Sequence, residues 1–219
     1  MQRWGFTLVE LVVVIGVIAV LVSLALPSIG RTVERSRSVA DGARLRENAT
    51  LVKAYTHDHR GVYPIAHSNA FRAAMEWYSP LISTGSLASI SEADPHSTVP
   101  GRMMRFYLSV AMVYSPDRMK PGRTQLPDNA EASEVRESDV RFPSLKGEML
   151  RYNSGVPAVD GGTLFCCGPR WISPVSMVDQ SVRFGTYLDF PGTEGPIAPV
   201  DFIGIPVFTT WHGSEGRDL

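Results

Sequence analysis

Three groups of residues in this 219-residue chain are of types that do chemistry. His57-Asp58-His59 offers two imidazoles and a carboxylate, the donor types of a metal site. Neighbouring helical residues point in different directions, so these two histidines do not converge. Polar residues at a helix end are the simpler reading. Cys166 and Cys167 are adjacent and are the only cysteines. One pair is no disulfide framework, and free thiols, a strained vicinal bridge and pairing with another chain all stay open. The third group is Glu10, a single carboxylate beside a long apolar run. Such a charge is expensive in apolar surroundings unless something pairs with it.

The motifs of catalysis are missing. There is no Gly-x-Ser-x-Gly, His-Glu-x-x-His or phosphate-binding loop. His67, His96 and His212 have no partners at readable spacing. Calcium takes about six to eight oxygens, whereas Asp189, Glu194, Asp201, Glu215 and Asp218 are scattered, and Asp160-Gly161-Gly162 reads as a turn. The expectation is a non-enzyme with no metal and no cofactor. A formal net charge of -1 argues against a general nucleic-acid surface, so nucleic acid is an unlikely partner.

Glu10 must be positioned by a helix. Leu11 to Leu26 carries no charge, and extending the run from Phe6 to Ile29 gives a helix of about 36 Å, enough to cross the roughly 30 Å hydrocarbon core of a bilayer. A secretory signal peptide fits poorly. The positive region is Arg3 alone, the apolar core is long, and no small-x-small site follows it. A generic single-pass anchor fits the length but leaves Glu10 without a purpose.

Gly5-Phe6-Thr7-Leu8-Val9-Glu10 followed by the apolar run resembles the prepilin signature of type IV pilins and type II secretion pseudopilins. The resemblance implies a leader of residues 1–5, cleaved after Gly5 by a prepilin peptidase that also N-methylates Phe6. It implies that Glu10 pairs with the Phe6 amino group of a neighbouring subunit during assembly. Glycine lets a protease approach the scissile bond, and Arg3 favours a cytoplasmic N-terminus. The family commonly carries a proline where Pro27 stands, so a kink or local melting is expected there, not a stop. The small residues Gly16, Ala19, Ser23 and Ala25 permit close helix contact.

Beyond Pro27 an amphipathic stripe is expected through Ile29, Val33, Val39-Ala40, Ala43, Leu45, Ala49, Leu51-Val52 and Tyr55. Arg31, Arg35 and Arg37 read as a solvated face or as contacts to lipid headgroups. One helix over 6–60 results, spanning a membrane at about 8–29. Gly61 would stop it with a left-handed cap, and Tyr63-Pro64 would start an extended exit. The stretch from Ala54 to Pro64 is a second point of resemblance to pseudopilins. Pro143-Ser144-Leu145-Lys146 and Trp211-His212-Gly213-Ser214-Glu215-Gly216 loosely resemble a pseudopilin group of planctomycete-like bacteria.

For residues 61–219 the expectation is a periplasmic or extracellular α+β domain. A short helix over Asn69–Tyr78 is capped by Ser68 or Asn69. Strands are expected near 105–114, 163–167, 182–190 and 200–210, with a loop-rich insertion at about 115–140. The implied fold is pilin-like, a long N-terminal helix packed on a small antiparallel sheet. The implied function is a structural subunit of a type II secretion-like pseudopilus or type IV pilus-like filament. The alternative is an adhesive or DNA- or substrate-binding minor pilin at the filament tip. Implied partners are the peptidase/methyltransferase, other pilin-like subunits, an inner-membrane assembly platform and membrane lipid. The implied location is the bacterial inner membrane, crossed once.

Overall fold

The computed structural model describes residues 7–95, 105–119, 131–151, 173–185 and 212–218. Gly5, Phe6, Cys166, Cys167 and the strands expected at 163–167 and 200–210 lie outside these residues, as do positions 120–130 and 186–190. The chain forms two compact units, Met1–Val39 and Ala40–Leu219. Helix α1 spans Leu8–Asp58.

The unit up to Val39 is this helix. Its residues from Leu8 to Leu26 are exposed on every side, and none of that stretch is buried. Ile29, Val33 and Val39 are exposed too. The expected one-sided stripe therefore does not begin until the second unit.

The unit from Ala40 is α+β, as expected. Helices α2 (Ala70–Met75), α3 (Tyr78–Ser83) and α4 (Ile90–Ala93) accompany strands β1 (Phe106–Leu108), β2 (Gly147–Arg151), β3 (Ser173–Met177) and β4 (Val182–Gly185). The strands form one antiparallel sheet in the order β1-β2-β3-β4. On α1, Asp41, Leu45, Asn48, Ala49, Val52 and Thr56 are buried, at the spacing of one helix face. Leu45, Ala49 and Val52 join Trp77, Leu81, Phe106, Leu108, Met149, Val175 and Met177 in one core. The indole N–H of Trp77 donates to the Phe106 carbonyl at 3.0 Å, so the largest buried ring brings a satisfied polar atom into the core. Gly42 seats a ring: a Cβ there would lie 2.5 Å from Cζ of Phe184 on β4.

Several expectations change. The alternation at 105–114 predicts a half-exposed strand, yet Phe106 through Tyr114 is buried throughout. The strand stops at Leu108. Ser109 then accepts a bond from the Ala111 N–H and opens a 3-10 turn, Val110–Met112. The insertion at 115–140 is not all loop. Its described part holds a 3-10 turn at Pro116–Arg118, and residues 131–140 run antiparallel to 61–69. Tyr63 N donates to Val135 O at 3.1 Å, Ala132 N to Ser68 O at 2.5 Å and Glu137 N to Gly61 O at 2.8 Å. Val135 and Val140 are buried. β3 lies where no strand is expected from the sequence, and it carries Pro174, a residue disfavoured in central strands. Pro174 pairs with Phe184 of β4, and the β2 ladder begins only at Val175, so no donor is missed there.

The end of α1 has a specific geometry. Gly61 N donates to Thr56 O at 2.6 Å, the six-residue closure of a Schellman cap. The position just past the helix is Arg60, with φ 57°, and Gly61 follows at φ 83°. Both residues, not Gly61 alone, are left-handed. A side chain at such a φ is disfavoured by about 1 kcal/mol relative to glycine. Arg60→Gly is therefore expected to raise stability by up to about 1 kcal/mol, read as a higher midpoint in denaturant melts.

Candidate functional site

The first candidate site is the start of α1. Thr7 is the N-cap. Its backbone N–H and hydroxyl both donate to Glu10 Oε2, at 2.8 and 2.6 Å, and Glu10 N donates back to Thr7 Oγ1 at 3.3 Å. Threonine followed by glutamate three residues on is a capping box, in which two otherwise orphaned amides satisfy each other's side chains. Both carboxylate bonds fall on Oε2, so Oε1 is open to an outside donor. After this cap come nineteen residues, Leu8–Leu26, with a mean hydropathy of 2.9. By length and composition this is one helix able to cross a membrane. A shallow notch on it is lined by Val13, Gly16, Val17, Val20 and Leu21. The helix is not stopped at Pro27.

The second candidate region is the far end of the helix, where Gly61, Tyr63 and Pro64 were singled out. Tyr63 and Pro64 are buried, and Gly61 closes the cap. The exit is thus fixed by the core and by pairing with 131–140. Tyr55 and His59 stack at 3.8 Å between ring centroids, and His59 Nδ1 lies 2.8 Å from the Tyr55 carbonyl. His57 is turned to Asp58 at 3.4 Å. The two histidines therefore have different partners. Among the described residues no group of three His, Cys, Asp or Glu side chains is placed to hold a metal ion.

Sequence reasoning missed the buried charges of the second unit. Asp94 is fully buried and takes the Arg105 guanidinium at 2.9 Å and the Arg105 backbone N–H at 2.9 Å. Arg105 also reaches Asp41 at 3.3 Å, and Arg151 meets the other Asp41 oxygen at 2.7 Å. Two carboxylates and two guanidiniums thus tie α1 to β1, β2 and the end of α4. Lys146 and Asp218 form a second buried pair at 3.3 Å, and Asp218 also accepts from Gly147 N at 2.8 Å. Burial pushes the Lys146 ammonium down from its ordinary value, and Asp218 pushes it back up.

The fourth buried acid is Glu148. Gly147 pairs with Met177 but Met149 with Ser176, so two residues of β2 are spent against one of β3. Glu148 is the extra residue of this bulge, and bulges re-aim side chains. Its Oε2 is buried without a hydrogen-bond partner. Burial pushes its pKa up to about 8, against the pull of Lys53 and Tyr63. Tyr63 itself is held well above its ordinary value by burial first and Glu148 second. Position 148 carries no signal of this in the sequence, because a bulge depends on the partner strand.

No protein-family model, curated protein or solved structure matches this chain.

Two outcomes follow from these charges. Asp94→Ala strands Arg105 and removes its main partner, a change expected to cost about 3 kcal/mol in a denaturant melt. Glu148 is protonated in the fold up to about pH 8 but ionises near 4.5 when unfolded. Its contribution is thus intact below 4.5 and is lost as pH rises towards 8. Glu148→Gln is expected to be more stable than the parent by roughly 3 kcal/mol at neutral pH, with the gap closing near pH 4.5. Parallel melts between pH 4.5 and 8 measure it.

Proposed function

We propose that this chain is a pilin-like filament subunit, cleaved after Gly5, methylated on Phe6 and held in a membrane by the first part of α1 before assembly. The observation that carries the reading is the conjunction at the N-terminus. A fully exposed, membrane-length apolar helix is preceded directly by Gly5-Phe6 and opened by the Thr7–Glu10 capping box. Such a helix is not core for its own chain, so lipid or other copies of the same helix are what would cover it.

The capping box makes Glu10 tolerable in that setting. Two bonds from Thr7 lower the cost of taking the carboxylate out of water. The open Oε1 is available for the ammonium that cleavage creates on a neighbour's Phe6. A buried pair of this kind contributes little net stability but discriminates between registers, since a helix displaced by one turn leaves both charges unpaired. The notch at Gly16 lets a neighbouring backbone approach closely. In this reading the subunit sits in the bacterial inner membrane, with its second unit outside the cytoplasm, and serves a type II secretion-like or type IV pilus-like machine.

Mass measurement of the N-terminus of chain isolated from membranes tests the processing. A species beginning at Phe6 and carrying one methyl group is expected. An intact Met1, or a cut after the apolar run, would sink the proposal. Cysteine crosslinking between α1 helices tests assembly: Glu10→Ala is expected to reduce crosslinked multimers at least tenfold, about 1.4 kcal/mol of coupling, without changing the amount of membrane-bound chain.

A further inference from the structure

We propose that Glu148 is a proton-operated latch, whose protonated form keeps residues 131–140 zipped to residues 61–69 and whose ionised form releases them by drawing Lys53 away from Glu137.

Two other segments act on this carboxyl, through Lys53 and Tyr63, and Lys53 joins it to a third, 131–140. Glu148 is turned inward by the bulge on β2, with one oxygen unpartnered and no measurable exposure of that atom. Lys53, on the last turns of α1, pairs with Glu137 in the 3-10 turn Glu137–Asp139 and acts on Glu148 through its charge. Tyr63 follows the helix cap; its hydroxyl is buried without a hydrogen-bond partner and is coupled to Glu148 electrostatically. Glu137 is itself one tooth of the zipper, because its N–H donates to Gly61 O. The flanking strands add little charge: β1 contributes Tyr107 as an ionisable side chain, and β3 has none. Lys53 is therefore the cation that both acids address. While Glu148 is protonated, Lys53 belongs to Glu137. An ionised Glu148 is a buried charge that must find a cation or reach water. The first route removes Lys53 from Glu137, whose N–H joins 131–140 to Gly61 O.

The segment is suited to such a release. It is held by three backbone bonds to 61–69, at Tyr63, Ala132 and Glu137, by one from Ser133 N to Val113 O, by Arg136 on the Arg60 carbonyl, and by the burial of Val135 and Val140. The central strands β2 and β3 are each paired on both sides. Local opening draws on the less connected parts of a fold.

Hydrogen exchange on the full-length chain in detergent micelles tests the latch, with rates corrected for intrinsic pH dependence. The amides of Tyr63, Ala132 and Glu137 report the zipper, and those of β2 and β3 report the sheet. One released proton allows at most about a tenfold change per pH unit. Zipper protection is expected to fall by up to that factor per unit from pH 5, to level off near 8 and to lie below sheet protection at every pH, the sheet falling only as global stability does. Glu148→Gln is expected to flatten the profile. Tyr63→Phe removes a donor to the ionised carboxyl, so the levelling-off moves to higher pH. This variant decides the matter if Glu148→Gln does not fold. Zipper and sheet equally protected at every pH, an unchanged profile in Glu148→Gln, or no upward move in Tyr63→Phe would each overturn the latch.

Discussion

A helix that is apolar around its whole circumference has no face to give to water. This constraint governs α1, whose residues from Leu8 to Leu26 are exposed on all sides. Covering an apolar surface is worth about 25 cal/mol per Å², so a stretch of this length is strongly drawn to lipid or to other helices. From Ala40 onward the same helix obeys a different rule. One face, through Leu45, Ala49 and Val52, is buried by its own chain, and Arg46, Glu47 and Thr50 stay outside. Burial along α1 thus changes where the chain divides into its two compact units.

The second unit replaces breadth of core by compensated charge. Asp41, Asp94, Lys146, Glu148 and Asp218 are all buried. Each would be prohibitive alone. Asp41 and Asp94 share Arg105, Asp41 also holds Arg151, and Lys146 holds Asp218. These partners are far apart in sequence, so each pair forms only when the sheet, the helix and the C-terminal segment have the right register. Glu148 is the exception, neutralised by its own proton instead of by a dedicated cation.

The sequence made the local features legible and hid the long-range ones. The apolar run, the Asn69 cap of α2 and the helix end near Gly61 depend on residues close in the chain, and the structure has them. The Thr7–Glu10 box was equally local but overlooked, because Glu10 drew attention as a charge in need of an outside partner. Ile29, Val33 and Val39 are exposed in this chain: periodicity says which face is apolar, not what covers it. Pro174 and the bulge at Glu148 were out of reach, since each depends on where a ladder to another strand begins or shifts. The same holds for residues 131–135. Their charges read as loop, yet backbone bonds to 61–69 bury Val135 between them.

The arrangement of fixings along the second half of α1 has a consequence for register. A stripe of Leu45, Ala49 and Val52 alone would tolerate a slide of one turn, because one apolar contact resembles the next. Asp41 cannot slide without leaving Arg105 and Arg151. Asn48 would lose the Ala93 carbonyl that its amide meets at 3.1 Å. Lys53 would lose Glu137, and the Schellman cap fixes where the helix ends. The polar contacts therefore define the axial position of the helix in its unit, and the apolar ones supply the burial. A latch at Glu148 acts on one of these fixings, the Lys53–Glu137 pair, and leaves the Asp41 cluster in place. Ionisation would then loosen the helix end and the segment zipped beside it, without freeing the helix to move along its axis.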